Sequence, residues 1–169
     1  MSEMPQVRHP LEFLEGHHDR QRLICVALET LAQEPTSKTA PETARMILAY
    51  FERELPLHIA DEEKDLFPLI RERCDEDDGF DEIVAMLEEE HDSDMDLHSR
   101  LVPALKLLAD QTGLETIDVF ARDAISFATL QRRHLAWENG AVLPLARQCL
   151  SQEDLDGMAK SMTARRQGA

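Results

Sequence analysis

The sequence predicts an all-α protein, an up-down-up-down four-helix bundle with a short fifth helix at its C-terminal end. Three observations carry that expectation. Apolar residues recur at intervals of three, four and seven through four long stretches. The breaks between these stretches are short, which makes neighbouring helices antiparallel. No stretch alternates strictly between apolar and polar residues as a strand would. With 169 residues, of which 43% are hydrophobic, one core and a single domain over 1–169 are expected.

The elements follow in order. His9-Pro10 opens the first helix, because proline is tolerated in a first turn, and Leu11, Leu14, Cys25, Leu28 and Leu31 mark its apolar stripe. Glu34 to Lys38 ends it. Thr39-x-x-Glu42 reads as a capping box for a second helix that carries Ile47, Tyr50, Phe51, Leu55, Leu66 and Phe67 to about Cys74. Pro56 and Pro68 lie inside that pattern, so kinks are expected there. Asp75 to Gly79 is a turn. Phe80, Ile83, Val84, Leu87, Leu101, Leu105 and Leu108 then mark a third helix, bent at Pro103. Thr112-x-x-Glu115 reads as a second capping box, opening a fourth helix that runs to about Gln148. Ser151-x-x-Asp154 caps the fifth, with Leu155, Met158 and Met162 as its stripe and fraying expected from Arg165.

Eighteen basic residues against thirty-four acidic ones give a formal charge of -16. Such a surface repels phosphate backbones and anionic lipid, so neither nucleic acid nor a membrane is expected as a partner. No apolar run is long enough to span a bilayer and the N-terminus carries no signal core, which points to the cytoplasm. Cys25, Cys74 and Cys149 are widely spaced and form no Cys-x-x-Cys pair, so all three are expected to be reduced structural thiols.

Chemistry enters with an internal repeat. His58 is followed by Glu62 and Pro68, and His134 by Glu138 and Pro144, at identical spacing. Seven histidines in a glutamate-rich chain produce a His-x-x-x-Glu pair by chance about as often as not. Two that share the proline should arise on the order of once in a thousand such chains. In an antiparallel bundle the second and fourth helices are diagonal, so both pairs face the centre. Aligning the halves sets His18-Asp19 against His91-Asp92, forty and forty-three residues upstream. His18 is the first-helix choice, with His17, about 100° away around the helix, as the alternative.

The set His18, His58, Glu62, His91, His134 and Glu138 holds four imidazoles and two carboxylates. Six inward donors suit two ions better than one. Each ion takes two histidines, both glutamates bridge, and an oxo or hydroxo group completes the pair while leaving room for a small ligand. Imidazole and carboxylate without thiolate favour two iron ions, with manganese or zinc ranking below. Glu54, one turn before His58, is expected to be solvated. Tyr50 and Trp137 are expected as core or rim aromatics, and His9 and His98 as exposed.

At these residues the chain resembles the hemerythrin-like, or HHE cation-binding, family. The likeness rests on His18, on Leu57-His58-Ile59-Ala60-Asp61-Glu62-Glu63 with Leu66-Phe67-Pro68, on Glu90-His91, and on His134-Leu135-Ala136-Trp137-Glu138 with Leu143-Pro144. It implies a four-helix bundle with a non-haem di-iron centre that binds dioxygen, or senses iron, oxygen or nitric oxide. Oxygen-carrying hemerythrins use a His-x-x-x-His pair on the third helix, where Met95 stands four residues after His91 here. That departure favours sensing or redox turnover over reversible carriage. An oxidoreductase acting on peroxide or nitric oxide, and a metal-free helical scaffold, are the competing expectations.

Overall fold

The computed structural model describes residues 6–74, 79–113 and 115–168, and these form helices and turns with no strand among them. Rod 1 is α1, Pro10–Gln33. Rod 2 is continuous in five pieces: α2 (Ala40–Ala49), a π turn π1 (Tyr50–Glu54), α3 (Leu55–Asp61), π2 (Glu62–Leu66) and α4 (Phe67–Arg73). Rod 3 is α5, Phe80–Ala109. Rod 4 joins α6 (Ile117–Trp137), π3 (Glu138–Val142) and α7 (Leu143–Cys149). The last helix is α8, Gln152–Gln167.

The kinks expected at proline take the form of widened turns. Each π turn directly precedes a Leu-Pro or Phe-Pro pair, and the N–H of Leu55, Phe67 and Leu143 reaches back five residues to Tyr50, Glu62 and Glu138. A proline ring crowds the carbonyl four residues earlier. For Pro56, Pro68 and Pro144 that carbonyl belongs to Glu52, Lys64 and Gly140, each at the middle of a π turn. The wider turn moves it aside, and such bulges recur at functional positions.

Rod 1 packs on rods 2 and 4, and rod 3 on the same two, so rods 2 and 4 are diagonal as the sequence predicts. The apolar core is divided. One cluster, including Ile24, Leu28, Phe51, Leu101 and Phe127, fills the end near the α5 to α6 connection. The other, including Leu14, Phe67, Val84, Leu143 and Met162, fills the opposite end under α8. Between them lies a layer of buried polar side chains.

Several local expectations are overturned. Thr39 has helical backbone angles, φ -91 and ψ -10, and caps nothing, because an N-cap needs an extended residue. Thr112 closes a helix instead of opening one. Its N–H and hydroxyl both donate to the Leu107 carbonyl, at 3.1 and 3.3 Å, and α6 begins only at Ile117. Gln111 (φ 57) and Gly113 (φ 83) supply the left-handed exit that this geometry requires. The Ser151 box does form, with Asp154 N–H donating to Ser151 Oγ at 3.2 Å and Ser151 N–H to Asp154 at 3.0 Å. Of the Asp75 to Gly79 turn, residues 75–78 lie outside the described residues. Gly79, at φ 62, adopts the left-handed conformation that glycine tolerates.

Two corrections concern the end under α8. Cys74 and Cys149 are joined by a disulfide with Cα atoms 5.4 Å apart, and only Cys25 remains a buried free thiol. The 75-residue separation hid the pairing, yet α4 and α7 finish side by side at one end of the bundle. The C-terminal arginines do not fray. Arg166 donates to Asp61 at 2.5 Å and to the Met162 carbonyl at 2.9 Å, while Arg165 pairs with Asp61 and Asp65. Asp61 is fully buried, and a buried carboxylate needs such partners.

Candidate metal centre

The structure brings all six predicted residues into one layer, each at 4% exposure or less. They fall into two overlapping groups of four, His18 with His58 and His91 with His134, and Glu62 and Glu138 belong to both. Within each group one ligand-type atom per residue lies within 4.8 Å of every other. His58 Nε2 stands 3.0 Å from Glu62 Oε1 and His91 Nε2 3.3 Å from Glu62 Oε2. His134 Nε2 stands 2.9 Å from Glu138 Oε1 and His18 Nε2 3.1 Å from Glu138 Oε2. Each carboxylate therefore turns one oxygen to each histidine pair.

Of these contacts only His134 Nε2 to Glu138 Oε1 has the geometry of a hydrogen bond. His18 Nε2, His58 Nε2, both oxygens of Glu62 and Glu138 Oε2 are buried and make no hydrogen bond of acceptable angle. Donor atoms set about 2.1 Å from a shared cation, at right angles, stand about 3 Å apart while pointing at the cation and not at one another. A pattern for the hemerythrin HHE cation-binding domain matches residues 9–146.

The chain belongs to the hemerythrin HHE cation-binding family. A protein of Haemophilus influenzae, described as uncharacterized, is similar over nearly its whole length, at 29% identity across 94% of this chain and 90% of its own. The donor set of this HHE domain fits a metal: orphaned buried carboxylate oxygens and imidazole nitrogens converge, and no lysine or arginine neutralises Glu62 or Glu138 among the described residues. Helix α8 lies beyond the matched region yet clasps Asp61, the neighbour of Glu62.

The imidazoles of this HHE chain are oriented from behind. His18 Nδ1 meets Asn139 Oδ1 at 3.0 Å, His91 Nδ1 meets Glu63 at 2.7 Å, and His134 Nδ1 meets Glu90 at 3.1 Å. Such contacts fix the tautomer and leave Nε2 free for a cation. His58 differs: its Nδ1 has no partner, and its ring lies flat on that of His17, centroids 5.6 Å apart. His17 in turn packs on Phe13 at 4.9 Å, over which the Arg166 guanidinium sits at 4.6 Å.

Charges in the layer shift accordingly. Burial would raise the Glu62 carboxyl, but the His58 charge and the close imidazoles of His18, His58 and His91 pull it well below its usual range. Burial opposes the charge on His134, and Glu138 and Glu90 overcome it, raising it to about 11. Burial likewise opposes the charge on His18 and His91, and both move up, His18 through Glu62 and Glu138 and His91 through Glu62 and Glu63. His17 goes the other way, to about 3, through burial and the His58 and Arg166 charges. Ring protons held this way are what an entering cation displaces.

Sequence reasoning missed several of these residues. Asn139, Glu63 and Glu90 sit beside predicted positions, but nothing in their spacing says which neighbour touches a ring. His17 is half-buried against His58, outside both groups of four. His98 is half-buried against Phe51, ring centroids 4.8 Å apart, because its helix face turns toward rod 2 and not to solvent as expected. Glu54 is on the surface beside Arg20, 3.5 Å away, and does not support His58.

Proposed function

We propose that this chain is a non-haem di-iron protein that binds dioxygen or a related small ligand, in oxygen or iron sensing or storage. The sharing of Glu62 and Glu138 between two histidine pairs supports this reading most, since one ion would use only one group of four. His18 and His58 would hold one ion, His91 and His134 the other, and nitrogen and oxygen donors without thiolate suit iron. Iron, when bound, supplies electron exchange with the ligand, which no side chain here can. Asn139, Glu63 and Glu90 hold the rings in place, and the two apolar clusters keep bulk water from the layer. No helix of the described residues is long and apolar enough to cross a membrane.

A second reading, an oxidoreductase acting on peroxide or nitric oxide, draws support for peroxide from the buried chain of Gln21, Gln131 and Asp94 beside the centre. A metal-free scaffold would instead pair Glu62 and Glu138 with arginine or lysine; among the described residues both face only histidine. Anaerobic iron loading, then air, with metal content and the visible spectrum recorded, tests all three. Two irons per chain with a stable new band supports ligand binding. Rapid bleaching with peroxide consumption supports the oxidoreductase. No iron uptake removes both.

A further inference from the structure

Next to the six-residue layer lies a second set of buried polar groups that metal binding does not use. Gln21 and Asp94 follow His18 and His91 by three residues, and Gln131 precedes His134 by three. In antiparallel rods that places all three on one level, about 4.5 Å along the axis from the ligand positions. Gln21 Nε2 donates to Gln131 Oε1 at 3.1 Å, and Gln131 Nε2 donates to Asp94 Oδ2. Tyr50, with its hydroxyl buried, lies against Gln21.

The direction of this chain is fixed by its last member. An ionised carboxylate only accepts, so Gln131 must turn its NH2 to Asp94 and its oxygen to Gln21. Gln21 must then turn its NH2 to Gln131, which leaves its oxygen, like the Tyr50 hydroxyl, buried without a partner. Both donors run toward Asp94, and Asp94 Oδ1 is left buried, at 1% residue exposure, with no partner. A purely structural network would close on itself, because a buried acceptor left open costs on the order of 1–3 kcal/mol, more if charged.

We propose that Asp94, held by Gln131 and through it by Gln21, forms a subsite beside the metal centre for a small hydrogen-bond donor: water at rest, and hydrogen peroxide when present. Asp94 Oδ1 accepts the O–H of such a molecule. Dioxygen and nitric oxide offer no donor and gain nothing from it, and an anion such as azide is repelled. The inference rests on the metal-binding reading above and narrows the ligand class within it.

Asp94→Asn tests it. The substituted amide keeps an oxygen for Gln131 and presents its NH2 where the open acceptor was, so acceptor becomes donor at constant shape. In the iron-loaded full chain at neutral pH, metal content should be unchanged. Azide affinity, read by spectral titration, should rise about tenfold, and the second-order rate with hydrogen peroxide should fall about tenfold, the lower end of what one hydrogen bond to a charged group is worth. Both probes moving together, neither moving, or loss of metal would overturn the subsite. A high-resolution crystal structure of the unsubstituted chain provides the second measurement. A water within hydrogen-bonding distance of Asp94 Oδ1 supports the proposal, and a dry Oδ1 against apolar side chains defeats it. If the unsubstituted chain takes up no iron, the metal reading falls, and the crystal structure still judges the subsite.

Discussion

In rod 4 the His134 ring is held through Nδ1 by Glu90, itself paired with Arg133, whereas in rod 2 the His58 ring has no Nδ1 partner and lies flat on His17. From the histidine onward the backbones of the two rods are alike: a glutamate opens a π turn, a proline follows, and a cysteine ends the helix. The position three residues after the histidine shows what replaces the missing hydrogen bond. In rod 4 it is Trp137, 42% exposed; in rod 2 it is Asp61, fully buried and gripped by Arg165 and Arg166. Helix α8 and the column Arg166, Phe13 and His17 thus do by packing for His58 what Glu90 does by hydrogen bonding for His134. One half of the centre carries its own support, and the other borrows it from outside the repeat.

If the halves are equivalent at the centre, removing either shared carboxylate should have the largest effect, and an equal one. Glu62→Ala and Glu138→Ala should each lower metal content from two ions per chain to one or none, measured by elemental analysis after iron loading. Two ions retained in either variant would break the bridging assignment. His98→Ala, away from the layer, should leave the stoichiometry at two.

The borrowed support is the next place to press. Arg166→Ala strips Asp61 of one of its two cations. Breaking a buried pair costs about 3–5 kcal/mol, and with Arg165 still in place about 3 kcal/mol is expected. For a chain of this length that lowers the melting temperature by about 10 °C. Trp137→Ala, at the matching position of rod 4, should shift it by no more than about 2 °C. Equal shifts would mean that the two halves are supported alike.

The disulfide joins the two halves at their ends, and its loss should cost a comparable amount. A disulfide typically contributes about 2–4 kcal/mol, and a loop of 75 residues lies at the upper end of that range. Cys74→Ser, or reduction of the unsubstituted chain, should therefore lower thermal stability without changing metal stoichiometry, because the bond lies beyond α4 and α7 and not in the ligand layer. A glutathione-rich cytoplasm favours the reduced state.

The repeat made the shared features legible. His, Glu and Pro at matching offsets carry backbone and chemistry together, and the diagonal placement of rods 2 and 4 follows from short connections alone. What differs between the halves was not legible, because it depends on which surfaces meet. Arg165 and Arg166 read as a polar tail until α8 folds back onto Asp61. Gln21, Gln131 and Asp94 each pass as one more polar helical residue, and only the packed bundle sets them on one level. The capping boxes at Thr39 and Thr112 failed for a related reason: the side chains suit the role, but local backbone angles decide it.

The subtlest test is the hydrogen bond that rod 4 has and rod 2 lacks. Glu90→Gln keeps size and removes charge, so the ring can still be oriented but is less basic. Losses of 10–100-fold in metal affinity are typical for such supporting groups, and iron affinity should fall within that range at unchanged stoichiometry. The metal-free protein gives an independent readout through pH. Glu138 and Glu90 raise the folded His134 value to about 11, above the ordinary 6.5. That contribution to stability is complete below about pH 6.5 and is lost as pH rises through about 11. Removing the Glu90 charge lowers the folded value and leaves the unfolded one unchanged, so the loss should begin at the same pH but be smaller and finish at lower pH, seen as a decline in melting temperature that levels off sooner on the alkaline side. Iron uptake has the opposite sign, strengthening as pH rises, because each cation must displace ring protons. If the Glu90→Gln stability profile overlays that of the unsubstituted chain, Glu90 does not act on His134, and the contrast between the two halves loses its basis.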